Sequence, residues 1–287
     1  MKLIADSGST KTDWVLVEHE RVLGKYQTQG INPFHQDDAT ITAILQDELL
    51  PQLSSFNFQF SIIHFYGSGL REEQKPRMKV LFKKVFPSET IFFENDLLGA
   101  ARALCGREEG IACILGTGAN SCLYDGEKIV QNTPPLGYIL GDEGSGAVLG
   151  RLFMNALFKN PTFFALQTLY LQETGLTMPL IINKVYREPL ANRFLASTSS
   201  FIREHLDFEP LRQLVIDNFR SFFRHNVVQY QRAELPVHAV GSIAWYYQDE
   251  LAAAAEAEGF QLGQLLKTPI DGLVKYHQTS CSNAWDK

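Results

Sequence analysis

The feature that most constrains this chain is a folding unit that it carries twice. A short apolar strand at 3–6 (LIAD) runs into the turn Ser7-Gly8-Ser9-Thr10, and two alternating segments follow, 12–17 (TDWVLV) and 22–29 (VLGKYQTQ), across a polar turn at 18–21. Alternation of this kind predicts paired antiparallel strands. The plan returns at 111–115 (IACIL), which meets Gly116-Thr117-Gly118-Ala119-Asn120 and continues as SCLYDGEKIVQ. Asp125-Gly126 is a strong hairpin signal, because both turn positions tolerate positive φ. Gly8 and Gly116 stand 108 residues apart. That period is too long for a solenoid and suits two similar domains, which is also what a chain of 287 residues predicts at roughly 150 residues per domain.

Between the copies, 61–66 (SIIHFY) reads as a buried strand ending in Gly67-Ser68-Gly69. A helix over 72–85, a strand over 90–94 and a helix over 97–105 follow, an alternation that predicts a mixed sheet with helices against it. From Gly144 to about Ala233 the pattern is helical. Its last segment places Leu211, Leu214, Val215, Phe219, Phe222, Phe223, Val227 and Tyr230 on one apolar stripe, read as core and not as a ligand pocket. A strand at 236–240 (PVHAV), the pair Gly241-Ser242 and a helix through 243–258 close the pattern. The fold class is therefore α/β. The expected domains are 1–109 and 110–272, with a helical insertion at about 145–233.

Composition excludes several classes of function. With 45% hydrophobic and 20% charged residues the chain can bury a true core. A net charge of −6 lacks the basic footprint of a nucleic-acid binder. The start, MKLIADSGSTKTD, turns polar after five residues, unlike a secretory signal. No apolar run reaches membrane-spanning length, so no membrane partner and a cytoplasmic location are expected. The cysteines, Cys105, Cys113, Cys122 and Cys281, form no CxxC pair, which favours reduced thiols over a zinc site or a disulfide framework.

Several short motifs converge on phosphate chemistry. Gly8 lets the backbone approach an anion, and Ser9 and Thr10 add hydroxyl donors. The GxxxxGK[ST] spacing of a Walker A loop is absent. Gly116-Thr117-Gly118 supplies a second set of backbone N–H groups after a second strand, so the two hairpins could grip a polyphosphate between them. Asp96, in Glu94-Asn95-Asp96, ends a strand and starts a helix, where an aspartate is either an N-cap or a base that accepts the proton of an attacking hydroxyl. Glu94 is expected to point the other way. In Gly141-Asp142-Glu143-Gly144-Ser145-Gly146 a carboxylate before a helix suits the helix dipole and could also accept from sugar hydroxyls. Val240-Gly241-Ser242 could admit a ribose and base against small residues.

In order and spacing, DSGSTKTDW, GTGANS, GDEGSG and VGSIAWYYQDEL resemble the N-acetylglucosamine kinase branch of the BadF/BadG/BcrA/BcrD ATPase family, within the sugar kinase, heat-shock protein 70 and actin superfamily. The resemblance covers essentially the whole chain. It implies two ribonuclease H-like domains with a nucleotide and sugar cleft closing over Mg-ATP, and that 273–287 can return to the first domain. Asp6 would hold Mg2+ through water, and Gly8, Ser9, Thr10 and Lys11 would form the first phosphate loop. Gly116, Thr117 and Gly118 would form the second, and Gly241 and Ser242 would line the adenosine pocket. Asp96 would be the catalytic base, and Asn32, Asn120 and Asp142 would contact the sugar. The expected reaction is phosphorylation of N-acetylglucosamine to its 6-phosphate, with glucosamine and N-acetylmuramic acid as alternative acceptors and a homodimer as the possible assembly. Such kinases often carry an aromatic residue shortly before GDEGS, whereas this chain has Pro134-Pro135-Leu136-Gly137-Tyr138, a departure that leaves open both the stacking contact and the exact sugar. The rival within the family is an ATPase that drives electrons into a dehydratase or reductase through a bridging iron–sulfur cluster. Such a cluster needs paired thiolates at an interface, a pattern these cysteines do not form. A third reading is an ATP sensor without catalysis, which the presence of Asp6, Asp96 and both phosphate loops disfavours.

Overall fold

A computed structural model describes residues 1–8, 10–54, 56, 60–88 and 90–278. The chain divides into two compact units. One comprises Met1–Glu108, Gly126–Lys128 and the chain from Thr268, and the other comprises Glu109–Asp125 and Ile129–Lys267.

The first unit is built on a five-stranded sheet in the order β3-β2-β1-β4-β5. Its strands are β1 (Lys2–Ser7), β2 (Lys11–Glu18), β3 (Arg21–Gln29), β4 (Ile62–Gly67) and β5 (Thr90–Asn95). β1, β2 and β3 form an antiparallel meander, and β4 and β5 run parallel to β1. The apolar alternation buries both faces. Leu3, Ala5, Trp14, Leu16 and Phe65 join one core with Phe82 of the helix Lys75–Val85, and the rings of Phe65 and Phe82 lie 5.2 Å apart. Ile4, Val15, Val17 and Tyr66 are buried on the opposite face, where the helices Asp96–Cys105 and Ile270–Gln278 pack. Lys2 donates to the carbonyl of His277 at 3.1 Å, and the Tyr66 hydroxyl pairs with the His277 ring at 2.9 Å, so polar links fix this last helix as well.

The second unit repeats the plan. β6 (Glu109–Leu115), β7 (Ala119–Asp125), β8 (Ile129–Thr133), β9 (Val237–Val240) and β10 (Leu262–Leu266) stand in the order β10-β9-β6-β7-β8, the first order read from its other edge. Again the hairpin strands are antiparallel and the added strands parallel. Gly126, at φ 95°, makes the β7–β8 turn that its dipeptide announces. Between β8 and β9 the chain is helical, from Gly146–Lys159 to Glu209–His225. In that last helix Leu211, Val215, Phe219, Phe222 and Phe223 are buried in the core of the unit together with Val227 and Tyr230, so the aromatic stripe is core.

Two mixed sheets of identical strand order confirm the α/β ribonuclease H-like class and the helical insertion. Other elements differ from expectation. A helical run over 38–52, with a π-helical stretch at Ile44–Leu49, and the strand β10 had no clear sequence signal. The helix expected over 243–258 is two helices, Ser242–Tyr246 and Gln248–Ala257, which break at Tyr247. Among the described residues no helix is long and apolar enough to cross a membrane.

Candidate functional site

In the first unit the candidate residues sit where β1, β3 and β5 end. The first hairpin is closed by the Gly8 N–H donating to Lys11 O at 3.0 Å, and Gly30 N–H donates to Thr10 O at 3.1 Å. Ser7 ties the layer beneath. Its hydroxyl is 2.7 Å from that of Thr12, it donates to Ile31 O at 3.0 Å, and it accepts from Ile31 N at 2.8 Å. Ser9 lies outside the described residues. The register sets Asp6 opposite Asp13, so the two carboxylates share one face of the sheet. Asp13 is bound by Lys11 at 2.7 Å and receives the Gln27 amide at 2.8 Å. Sequence reasoning had not singled out Asp13 or Gln27.

Asp6 keeps some exposed surface, yet its carboxyl is deep in protein. Burial pushes its pKa up to about 8, reinforced by Asp96 and Asp13 and opposed by Lys11. Three carboxylates with one lysine among them form an electron-rich set that a divalent cation would balance. Among the described residues no three His, Cys, Asp or Glu side chains converge as a self-sufficient metal cage. Carboxylate oxygens are hard donors, of the kind that Mg2+ takes alongside water and phosphate.

Asp96 is not the helix cap. Asn95 takes that place and accepts from Leu98 N–H at 2.8 Å, which leaves Asp96 as the first helical residue with its carboxylate not spent on capping. Burial raises its pKa to about 6, against the N–H groups of Leu97 and of Asp96 itself. Glu94 is engaged by Lys75 at 2.9 Å, consistent with its expected orientation away from the chemistry. Asn32 lies beside the Gly67-Ser68-Gly69 turn. A Cβ at Gly69, which has φ +71°, would come within 2.2 Å of Asn32 Oδ1, so glycine there makes room for the asparagine. Ser68 Oγ in the same turn is buried without a hydrogen-bond partner among the described residues.

The second unit gathers its candidates around the end of β6. Gly116 N–H donates to Gly118 O at 3.0 Å, the counterpart of the Gly8 bond, and the N–H groups of Thr117 and Gly118 donate to no backbone carbonyl among the described residues. The carbonyls of Gly116 and Thr117 accept from Gly146 and Ala147 at 2.8 and 3.1 Å, which fastens the loop to the start of the insertion. Asp142 sits in the left-handed region at φ 54° and accepts from Gly137 N–H at 3.1 Å. Its Oδ2 lies 3.0 Å from where a Cβ of Gly118 would stand. Burial raises the pKa of Asp142, partly offset by bonds from Gly137 and Ala119. Asn218, buried in the aromatic stripe, accepts from Gly144 N–H at 3.1 Å and so holds the acidic loop, a role that its sequence surroundings conceal. Asn120 Oδ1 accepts from Ser121 N–H and from Asn132 Nδ2, each at 2.9 Å.

Gly241, at φ +125°, packs against the same loop, and a Cβ there would come within 2.3 Å of Leu115 O. The adjoining Ser242 lines a cavity of about 270 Å³ with Ser199, Ser200, Arg203, Ile243, Tyr246 and Tyr247. The Tyr246 ring carries Arg203 at 4.5 Å on the cavity side and Lys267 at 5.0 Å. Tyr138 is partly buried against the core of this unit. Cys113 and Cys122 are fully buried within β6 and β7 and Cys105 is buried within its helix, a placement that denies them to an interface cluster; Cys281 lies outside the described residues.

No protein-family model matches the chain, and no curated protein does. Solved structures do. A Porphyromonas gingivalis protein described as a "putative N-acetylglucosamine kinase" is 47% identical over 97% of this chain and 99% of its own, with a TM-score of 0.90. A Chromobacterium violaceum protein of the same description shares the fold at 18% identity and a TM-score of 0.74, over 96% of this chain and 98% of its own. The ROK hexokinase of Thermus thermophilus shares the fold at 15% identity and a TM-score of 0.58, over 97% of each chain. Two ribonuclease H-like sheets with a glycine hairpin apiece give the chain the actin-like fold, and the 47% identical relative makes it an ATP-dependent sugar kinase. More narrowly, the chain belongs to the N-acetylglucosamine kinase-like family.

Proposed function

We propose that this kinase transfers the γ-phosphoryl group of ATP to the 6-hydroxyl of N-acetylglucosamine. The observation that carries the chemistry is Asp96, a carboxylate left free of capping at the first turn of a helix and buried enough to titrate near 6. The acceptor follows the description of the 47% identical P. gingivalis protein.

In this reading Lys11 and the N–H and hydroxyl groups at Gly8–Lys11 take phosphate oxygens of a nucleotide, and the N–H groups of Thr117 and Gly118 likewise take phosphate oxygens, with Gly116 closing their turn. Asp6 would hold Mg2+ through water, and the ion supplies charge neutralisation on the phosphates when bound. Gly241, Ser242 and the cavity edged by Tyr246 and Arg203 receive the adenosine. Asn32, Asn120 and Asp142 would contact the sugar, as would Ser68, whose buried hydroxyl has no partner among the described residues. Asp96 accepts the proton of the attacking hydroxyl. Most of the rate comes from positioning and charge stabilisation, with the base contributing roughly 10²–10⁴-fold. A consumer of ATP of this kind belongs in the cytoplasm.

The test is ADP release with Mg-ATP against N-acetylglucosamine, glucosamine, N-acetylmuramic acid, N-acetylmannosamine and glucose, with the Asp96→Asn variant alongside. Turnover that depends on N-acetylglucosamine and falls at least about 100-fold in the variant supports the reading. ATP hydrolysis indifferent to every sugar and to Asp96 would defeat it.

A further inference from the structure

We infer that Asn132 is a positioning residue that fixes the direction of the Asn120 carboxamide, and thereby commits this part of the sugar site to a hydrogen-bond-accepting atom of the substrate. The inference rests on the proposed role of Asn120 as a sugar contact and goes beyond it by assigning the polarity of that contact.

The orientation of both amides follows from their backbone partners. Ser121 N–H can only donate, so the Asn120 atom 2.9 Å from it is the oxygen. The carbonyls of Ser121 and Thr133 can only accept, so the Asn132 atom at 2.7 and 3.0 Å from them is the nitrogen. That nitrogen also lies 2.9 Å from Asn120 Oδ1. Its two hydrogens are shared among three oxygens; turning over Asn132 loses all three of these bonds, and turning over Asn120 loses both bonds to its oxygen. Asn120 Oδ1 is therefore doubly occupied from the protein side, while Asn120 Nδ2 has no partner among the described residues and the residue remains partly exposed. What Asn120 offers a ligand is an N–H donor. Hydroxyl and acyl oxygens accept from it, whereas an ammonium group does not.

The strands explain why this pair exists. Asn120 is the second residue of β7, directly after the phosphate hairpin, and Asn132 lies on β8 opposite Cys122. A diagonal neighbour across an antiparallel ladder is within reach of a short amide. The β8 partner thus sets the amide while the β6–β7 turn sets the backbone.

The test compares monodeoxy and deoxyfluoro analogues of N-acetylglucosamine as kinase substrates. Fluorine accepts weakly and cannot donate, so at the position facing Asn120 the deoxyfluoro sugar should retain most of the activity that the deoxy sugar loses. In Asn132→Leu that difference should vanish, with KM for N-acetylglucosamine up about tenfold and KM for ATP and kcat within about twofold. Asn132→Ser, which keeps one donor, should restore most of the affinity and guards against a folding defect in the leucine variant. A wild-type enzyme inert toward every sugar overturns this inference together with the proposed function. An active enzyme in which fluoro and deoxy analogues fail equally at every position, or in which the difference survives Asn132→Leu, overturns this inference alone.

Discussion

Asp96 and Ser68 show how single residues carry the cost of a site. A carboxyl whose pKa is raised to about 6 is less stable folded and ionised than the same group in water, so at neutral pH Asp96 strains the fold that presents it. The sign follows from linkage. The folded pKa lies above the ordinary value, so the protonated folded form is favoured as pH falls through 6, and the ionised base is lost over the same range. Turnover should therefore decline below about pH 6, while Asp96→Asn, inactive, should melt higher than wild type at pH 7.5. A melting point unchanged or lowered would mean that the carboxylate is well solvated. Ser68 makes a parallel case. A buried hydroxyl without a partner costs about 1–3 kcal/mol. Ser68→Ala should raise the stability of the sugar-free protein by about 1 kcal/mol and raise KM for the sugar several-fold. A hydroxyl with only a structural role would leave KM where it was. Asp6, Lys11, Asp96 and Asp142 could be put forward as candidates from the sequence because each sits at a strand end or beside a glycine signal. Ser68, Asn132 and Asn218 were not, because their roles depend on partners that the chain brings from elsewhere, 74 residues away for Asn218 and Gly144.

Elements were legible to the extent that their residues repeat with a period. β2 and β3 announce themselves by alternation, β1, β4 and β6 as short apolar runs before glycine turns, and the long helix Glu209–His225 by its stripe. β10 (LGQLL) is short, lacks β-branched residues and contains Gly263, whose missing side chain admits His238. The run 38–52 mixes Thr and Ile with Pro51 and passes through a π-helical stretch, so its apolar residues fall out of a 3.6-residue period. The junction of β9 with its following helix shows how one position can decide an element. Gly241 combines φ +125° with a backbone oxygen 2.3 Å from where a Cβ would stand, and that oxygen belongs to Leu115 at the end of β6. Gly241→Ala must therefore push β9 off β6 beside the second phosphate loop. The expected result is a destabilisation of at least about 2 kcal/mol in chemical denaturation, with weaker ATP binding by the fraction that remains folded. Wild-type stability in this variant would show that the turn relaxes without strain.

At the scale of the whole molecule the chain leaves its first unit at Glu108 and returns to it from Thr268, so the helix Ile270–Gln278 is joined to the sheet it covers by packing and not by chain neighbours. The packing is polar as well as apolar. His277 stacks on His64 of β4 with ring centroids 3.7 Å apart, His64 stacks in turn on Phe92 of β5, and Tyr66 bridges His277 to Arg102 of the helix Asp96–Cys105. Lys2 from β1 and Arg107 also face this cluster. Burial, followed for His277 by the facing His64, holds the imidazoles neutral, with His64 down to about 4 and His277 to about 2. Both values lie below the ordinary 6.5. Stability from the neutral pair is therefore complete above pH 6.5 and drains away as pH falls toward 4, because the unfolded chain takes up protons that the folded pair refuses. The loss between pH 7 and 5 is on the order of 1–2 kcal/mol per imidazole. Asp6 and Asp96, with raised values, gain stability over the same range, so the wild-type curve alone does not isolate the histidines. The informative quantity is the difference in stability between wild type and His277→Gln, which keeps a polar partner for Tyr66 and does not titrate. That difference should favour wild type most at pH 7.5 and shrink by about 1 kcal/mol or more by pH 5. A gap that stays constant with pH would mean that His277 titrates in the fold as it does in the unfolded chain, so that burial does not hold it neutral.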